Sequence, residues 1–320
     1  MNTVTKLGAY GVSLVLVFGG TLTMGSAVGP IGGSNSAGHG SSAHGKAPSG
    51  GHDMATMEAD RPAGLEISSD GYTLTPASTA FEPAPAVDFE FRIEGPDGEP
   101  VISYEELHDK ELHLIVVRRD LSGYQHVHPV RDTTGTWTVP LDLATPGTYR
   151  VLADFKPAGS DLMSLTLGAD ITVPGTQRRT PLPEPATATT VDGYDIALEG
   201  DLVAGEESTL TLSVSKNGDP VTDLQPYLAA YGHLVALRSG DLAYLHVHPD
   251  GEPGDGRTKA GPGITFHAQV PSVGTYRLYL DFRHEGVVRT AEFTAVAARN
   301  GTGSETDQHN DTHDQMEMGS

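Results

Sequence analysis

Cysteine is absent from all 320 residues. Its absence excludes disulfides and thiolate metal sites, leaving His, Met, carboxylate and backbone oxygen as the ligands the chain can offer. Basic residues are scarce as well: 20 Lys and Arg face 42 Asp and Glu, for a formal net charge of -22. Nucleic acid and anionic membrane surfaces are therefore poor partners, whereas cations are drawn to such a surface, which also serves solubility. No Ser/His/Asp order, phosphate loop or paired acid/base motif stands out, which speaks against an enzyme. Apolar content is modest, with 39 Gly and 22 Pro. That balance suits an all-β chain of strands and turns more than a helix bundle.

One long uncharged apolar run follows Lys6, and the next basic residue is Lys46. Residues 1–29 thus read as a signal anchor or a signal peptide, with the positive end inside and the remainder exported. Both versions stay open, with Gly25-Ser26-Ala27 offering a cleavage site. The expected place is the cell membrane, with one N-terminal span and the bulk extracytoplasmic, or secretion if the segment is cleaved. Residues 30–64 form a Gly/Ser/Ala-rich tract that builds no core and carries His39, His44, His52, Met54 and Met57. The 298–320 tail has a similar character, with His309, His313, Met316 and Met318. These side chains are expected to be weak, flexible metal ligands at most, since imidazole and thioether suit the two oxidation states of copper.

Between the tails the chain repeats itself. HLIVVRRDLSGYQHVHP starts at His113 and HLVALRSGDLAYLHVHP at His233. Around these runs, residues 65–174 and 191–297 share further marks. Each opens on Asp-Gly-Tyr, at Asp70 and Asp192, continues in an alternating run, and later carries Gly-Thr-Tyr-Arg, at Gly147 and Gly274. Alternation closed by Gly, Pro, Asp or Asn marks strands and turns. A Gly-x-Tyr entering a strand resembles the late strand of immunoglobulin-like sandwiches. The alternation puts Tyr149, Val151, Ala153 and Phe155 on one face, against Arg150, Leu152 and Asp154. In the second copy Tyr276, Leu278, Leu280 and Phe282 oppose Arg277, Tyr279 and Asp281. The expected architecture is two tandem immunoglobulin- or cupredoxin-like β-sandwiches, joined by a stiff Pro-rich connector at 175–190.

Three histidines hold register across the duplication: His113, His126 and His128, and then His233, His246 and His248. In a strand His126 and His128 leave the same face, near enough for both to reach one ion, and His113 opens the preceding apolar strand. Six metal ligands in two sets of three follow, with Asp154 and Asp281 as additional oxygen ligands. The bland alternative is that the histidines are structural, in a non-catalytic interaction module of the cell envelope. A third reading is a cupin-like metalloenzyme, from Gly240, His246-Val247-His248 and Glu252. It lacks the second half of the cupin motif, and the duplication accounts for the histidines without it.

The runs HLIVVRRDLSGYQHVHP and PGTYRVLADF, after a single apolar N-terminal segment, resemble secreted bacterial proteins of the YtkA-like and FixH-like kind. That resemblance spans most of residues 65 to 297. It implies a sandwich outside the membrane and an association with heavy metals, copper above all, but supplies no ligand set. The expected function is metal capture, delivery or tolerance in the envelope. The expected partners are a copper ion, with zinc or nickel as substitutes, and a membrane metal transporter or another envelope protein.

Overall fold

The computed structural model describes residues 62–245 and 247–300. The N-terminal apolar segment, the tail residues His39, His44, His52, Met54, Met57, His309, His313, Met316 and Met318, and His246 all lie outside these residues. The described residues form strands and turns, and no helix among them is long and apolar enough to cross a membrane.

Each repeat is a β-sandwich of two sheets around its own core. In the first, the outer sheet contains Tyr72–Pro76, Val87–Glu94, Thr136–Leu141 and the short Val130–Arg131. The facing sheet orders Leu165–Val173, Gly147–Pro157, Leu112–Arg118 and Gln125–Val127. The outer strand Val87–Glu94 explains itself: Phe89, Phe91 and Ile93 are buried while Asp88, Glu90 and Arg92 are exposed. Period-two alternation gives such a strand one dry and one wet face. Trp137 stacks on Phe91 at 6.3 Å, and Tyr104 meets Trp137 edge-on at 5.1 Å, filling the same core. The second repeat follows the same plan, with Gly274–His284 and Gly232–Arg238 in one sheet and Glu207–Lys216 and Gly263–Gln269 in the other. Tyr149 and Tyr276 each donate their hydroxyl to the carbonyl four residues earlier, Thr145 at 2.7 Å and Ser272 at 2.8 Å. That bond locks the corner where the chain re-enters the sheet.

The strands Leu112–Arg118 and Gly232–Arg238 are buried on both faces. Leu112, Leu114 and Val116 point into the first core, and Leu234 and Ala236 into the second. Their alternate residues Ile115, Val117, Val235 and Leu237 meet in a third cluster with Leu121, Leu152, Leu242, Tyr244 and Tyr279. The two inner sheets are thus packed face to face, a third apolar layer between two sandwich cores. His113 and His233 occupy the same alternate face as this cluster. The Tyr124 and Tyr279 rings stack across it at 3.9 Å, and the Tyr279 hydroxyl donates to the Leu121 carbonyl at 2.7 Å. The linking segment is docked as well: Leu182 packs on the cluster, and the Thr180 amide donates to Asp120 at 2.8 Å.

The shared His-Val-His-Pro lies where the chain leaves one sheet for the other, and the two copies make that switch at different points. In the first, Gln125–Val127 pairs with the inner strand, His126 opposite Ile115, and the outer sheet is joined only at Val130. In the second, Tyr244–Leu245 is the inner pairing and Val247–Pro249 already belongs to the outer sheet, His248 opposite His267. A sequence match in register has become two local geometries.

Truncating the central aromatic of the third cluster tests its weight. Tyr279→Ala removes the stacked ring and leaves the Leu121 carbonyl unbonded, an expected loss of about 3–5 kcal/mol in chemical denaturation. A change under about 1 kcal/mol would mean the inner sheets are not held together here.

Candidate metal centre

His113 begins the inner strand of the first repeat, His126 lies on the strand beside it, and His128 follows where the chain crosses to the outer sheet. His113 Nδ1 stands 3.0 Å from His126 Nε2 and 3.1 Å from His128 Nε2. One nitrogen from each of the three lies within 4.8 Å of the others. An ion bound at about 2.0–2.1 Å from each nitrogen in a tetrahedral arrangement needs nitrogens about 3.3 Å apart, so little adjustment separates this arrangement from a ligand set.

The outer nitrogens decide what the inner ones carry. His113 Nε2 is 2.9 Å from the Leu107 carbonyl, which only accepts, so Nε2 holds the proton and Nδ1 the lone pair. His126 Nδ1 is 2.8 Å from Asp281 Oδ2, again an acceptor, which leaves the His126 Nε2 lone pair facing His113. Two lone pairs 3.0 Å apart repel unless a proton or a cation sits between them. Carbonyl and carboxylate partners behind metal-facing imidazoles are the usual means of fixing such ligands. By donor type, tautomer and spacing, the three residues fit a transition-metal ion.

Burial disfavours the charged form of three imidazoles here, His113, His128 and His233. The His113 imidazole is pushed down to about 3, first by desolvation and then by its His126 neighbour. His128 is likewise lowered to about 3, by desolvation and then by His126 and Lys110. His233 is held well below the usual imidazole range by desolvation and by the surrounding histidines. Neutral imidazole is the form that binds metal, so a depressed pKa leaves the ligands available in mild acid.

His233 comes from the second repeat but lies against the first triad, its ring 5.4 Å from that of His113 and 4.8 Å from that of His126. His248 is exposed on its short outer strand. Asp281, 2 % exposed, faces His126 Nδ1 and takes the Thr290 hydroxyl on its other oxygen at 2.5 Å. Asp154, its counterpart in the first repeat, takes the Thr166 hydroxyl at 3.0 Å, and desolvation raises its carboxyl to about 6. Sequence reasoning passed over His108. It sits on a turn with positive φ at both His108 and Asp109, and its ring lies 6.1 Å from His113 and 5.5 Å from His233. The signal was available in its distance of five residues from His113, but the duplication hid it, because Leu228 stands at the matching place in the second copy. Tyr124 lies just before the strand Gln125–Val127, and its buried hydroxyl has no hydrogen-bond partner among the described residues.

The unfolded chain protonates His113 below about 6.5, while the folded chain resists until about 3, so acidification through that window favours unfolding by up to about 1.4 kcal/mol per pH unit. His128 acts in the same direction. Asp154 opposes them: raised to about 6, it keeps its proton in the folded state and favours folding as pH falls from 6 towards 4. Denaturation of metal-free protein is expected to show stability declining below pH 6.5, gently to pH 4 and more steeply beneath it. A stability that rises steadily from pH 6.5 to pH 4 contradicts the neutral buried histidines.

Comparison with known proteins adds a family but no activity. No curated protein matches the chain. Among solved structures, a DUF4426 family protein from Pseudomonas aeruginosa PAO1 is similar over 35 % of this chain and 96 % of its own, at 8 % identity and a TM-score of 0.26. The Escherichia coli adhesin FdeC is similar over 72 % of this chain and 65 % of its own, at 16 % identity and a TM-score of 0.23. A putative membrane anchored protein from Corynebacterium diphtheriae is similar over 72 % and 57 %, at 13 % identity and a TM-score of 0.22. Scores this low carry no conclusion for the present chain. The sequence profile described as "Domain of unknown function (DUF8832)" matches residues 67–169 and again 189–299. With most of its length in those two matches, the chain belongs to the DUF8832 family and carries the domain twice.

Proposed function

We propose that this chain is an extracytoplasmic metal-binding protein that captures or hands on a transition-metal ion, copper before zinc or nickel. The ion is held by His113 Nδ1, His126 Nε2 and His128 Nε2. The observation that carries this reading is the convergence of three imidazole nitrogens, two of them with outer nitrogens occupied by a carbonyl and a carboxylate. Such a set presents lone pairs and few protons to the space between the rings. Copper is preferred because divalent copper leads the affinity order at nitrogen ligands, and because Met and His recur in both tails. The absence of cysteine argues against a blue-copper electron-transfer centre, so the reading is one of binding rather than electron transfer.

The finer fold assignment, immunoglobulin- or cupredoxin-like, belongs to the same proposal and is supported by the two tyrosine corners. Export rests on the uncharged run after Lys6. A membrane metal transporter or another envelope protein is then the natural recipient of the ion.

Native mass spectrometry of metal-free protein titrated with Cu²⁺, with Zn²⁺ and Ni²⁺ in parallel, tests the reading. The wild-type chain is expected to retain copper, and His113→Ala, His126→Ala and His128→Ala each to lose one ion while remaining folded. Undiminished loading in all three variants would remove the triad from consideration. A wild-type chain that takes up none of the metals would leave the histidines as structural groups of an interaction module.

A further inference from the structure

His113 is oriented from within its own repeat, by the Leu107 carbonyl, whereas His126 is oriented from the other one. Asp281 lies on the strand Gly274–His284, directly opposite His233 in the register of the second repeat's inner sheet. Its side chain is 3 % exposed, and each carboxylate oxygen has a partner: Oδ1 accepts from Thr290, and Oδ2 faces His126 Nδ1 at 2.8 Å. A buried carboxylate in that position accepts the Nδ1 proton, and in the neutral imidazole this turns the Nε2 lone pair towards His113. The sequences of the two repeats meet at this bond, 155 residues apart along the chain.

We propose that Asp281 is a positioning residue that makes His126 a metal ligand by fixing its Nδ1–H tautomer from across the repeat boundary. The centre is then a two-repeat device. The first repeat contributes the converging nitrogens, and the second contributes the carboxylate that orients one of them and the His233 ring that lies against two of them. Among the described residues, the first copy supplies the converging nitrogens and the second prepares one of them. Ion affinity and the packing of the inner sheets are linked through this bond, so a change that separates the sheets also weakens the ion.

The ligand part of this inference rests on the metal reading above, but the tautomer part does not, which lets one experiment separate them. Imidazole nitrogen NMR on the metal-free wild-type chain is expected to show His126 as the Nδ1–H tautomer. Asp281→Leu keeps the side chain's approximate size and removes the acceptor. It is expected to abolish that single tautomer and to weaken Cu²⁺ binding about 10–100-fold. In Asp281→Asn an amide oxygen can still accept the Nδ1 proton, so this variant is expected to restore the tautomer and most of the affinity. A merely structural role for Asp281 would leave the tautomer unmoved.

Three results overturn the inference. One is a wild-type His126 carrying its proton on Nε2, a finding that needs no variant to fold. Another is a folded Asp281→Leu chain that keeps the Nδ1–H tautomer. The last is a folded Asp281→Leu chain that changes the tautomer yet binds Cu²⁺ as tightly as wild type. A wild-type chain with the Nδ1–H tautomer, lost in Asp281→Leu, that takes up no copper would uphold the positioning bond and overturn the metal reading instead.

Discussion

The packing of one inner sheet on the other is the constraint on which the site depends. Ile115, Val117, Leu152, Val235, Leu237 and Tyr279 bury one another between the sandwiches. At about 25 cal/mol for each Å² of apolar surface removed from water, a layer of that size holds the repeats in one relative position. Only there do a carboxylate from the second repeat and an imidazole from the first come within 2.8 Å. The polar cluster sits at the margin of an apolar layer, and the layer also desolvates it. The same contact that brings His113 and His233 together therefore disfavours their charged forms.

Duplication has been put to unequal use. Both copies retain a histidine at the head of the inner strand and the His-Val-His-Pro beyond it. In the first copy the chain stays on the inner sheet through Val127, which holds His126 over the interface. In the second, the outer sheet recruits the chain from Val247 onward, and His248 turns to solvent opposite His267. His128, at the crossing of the first copy, stands in the triad, whereas its counterpart His248 is exposed on an outer strand. His233, by contrast, remains on the interface and joins the other copy's histidines.

Much of this was legible in one dimension. Alternation in the Gly-Thr-Tyr-Arg strands assigned the core residues Tyr149, Phe155, Tyr276 and Phe282 to the faces they occupy. The all-β class and the two-fold repeat followed from the same pattern and from turn chemistry. The apolar runs after His113 and His233 do not alternate, and that is the mark of strands buried on both faces. Read that way, they already called for a second covering layer. What the runs could not say was that each would cover the other.

By itself, then, the sequence determined the chemistry on offer and its local address. Without cysteine the donors on offer were imidazole, thioether, carboxylate and backbone oxygen, and a strand period of two set His126 and His128 on one side. Which imidazoles meet was decided by tertiary structure alone. His108 enters through a turn and His233 from another repeat. Asp281, matched by sequence to Asp154, stands behind His126 and not beside it. The physical reason is that spacing along a strand governs direction within one sheet, whereas the approach of two sheets is governed by how their apolar faces fit.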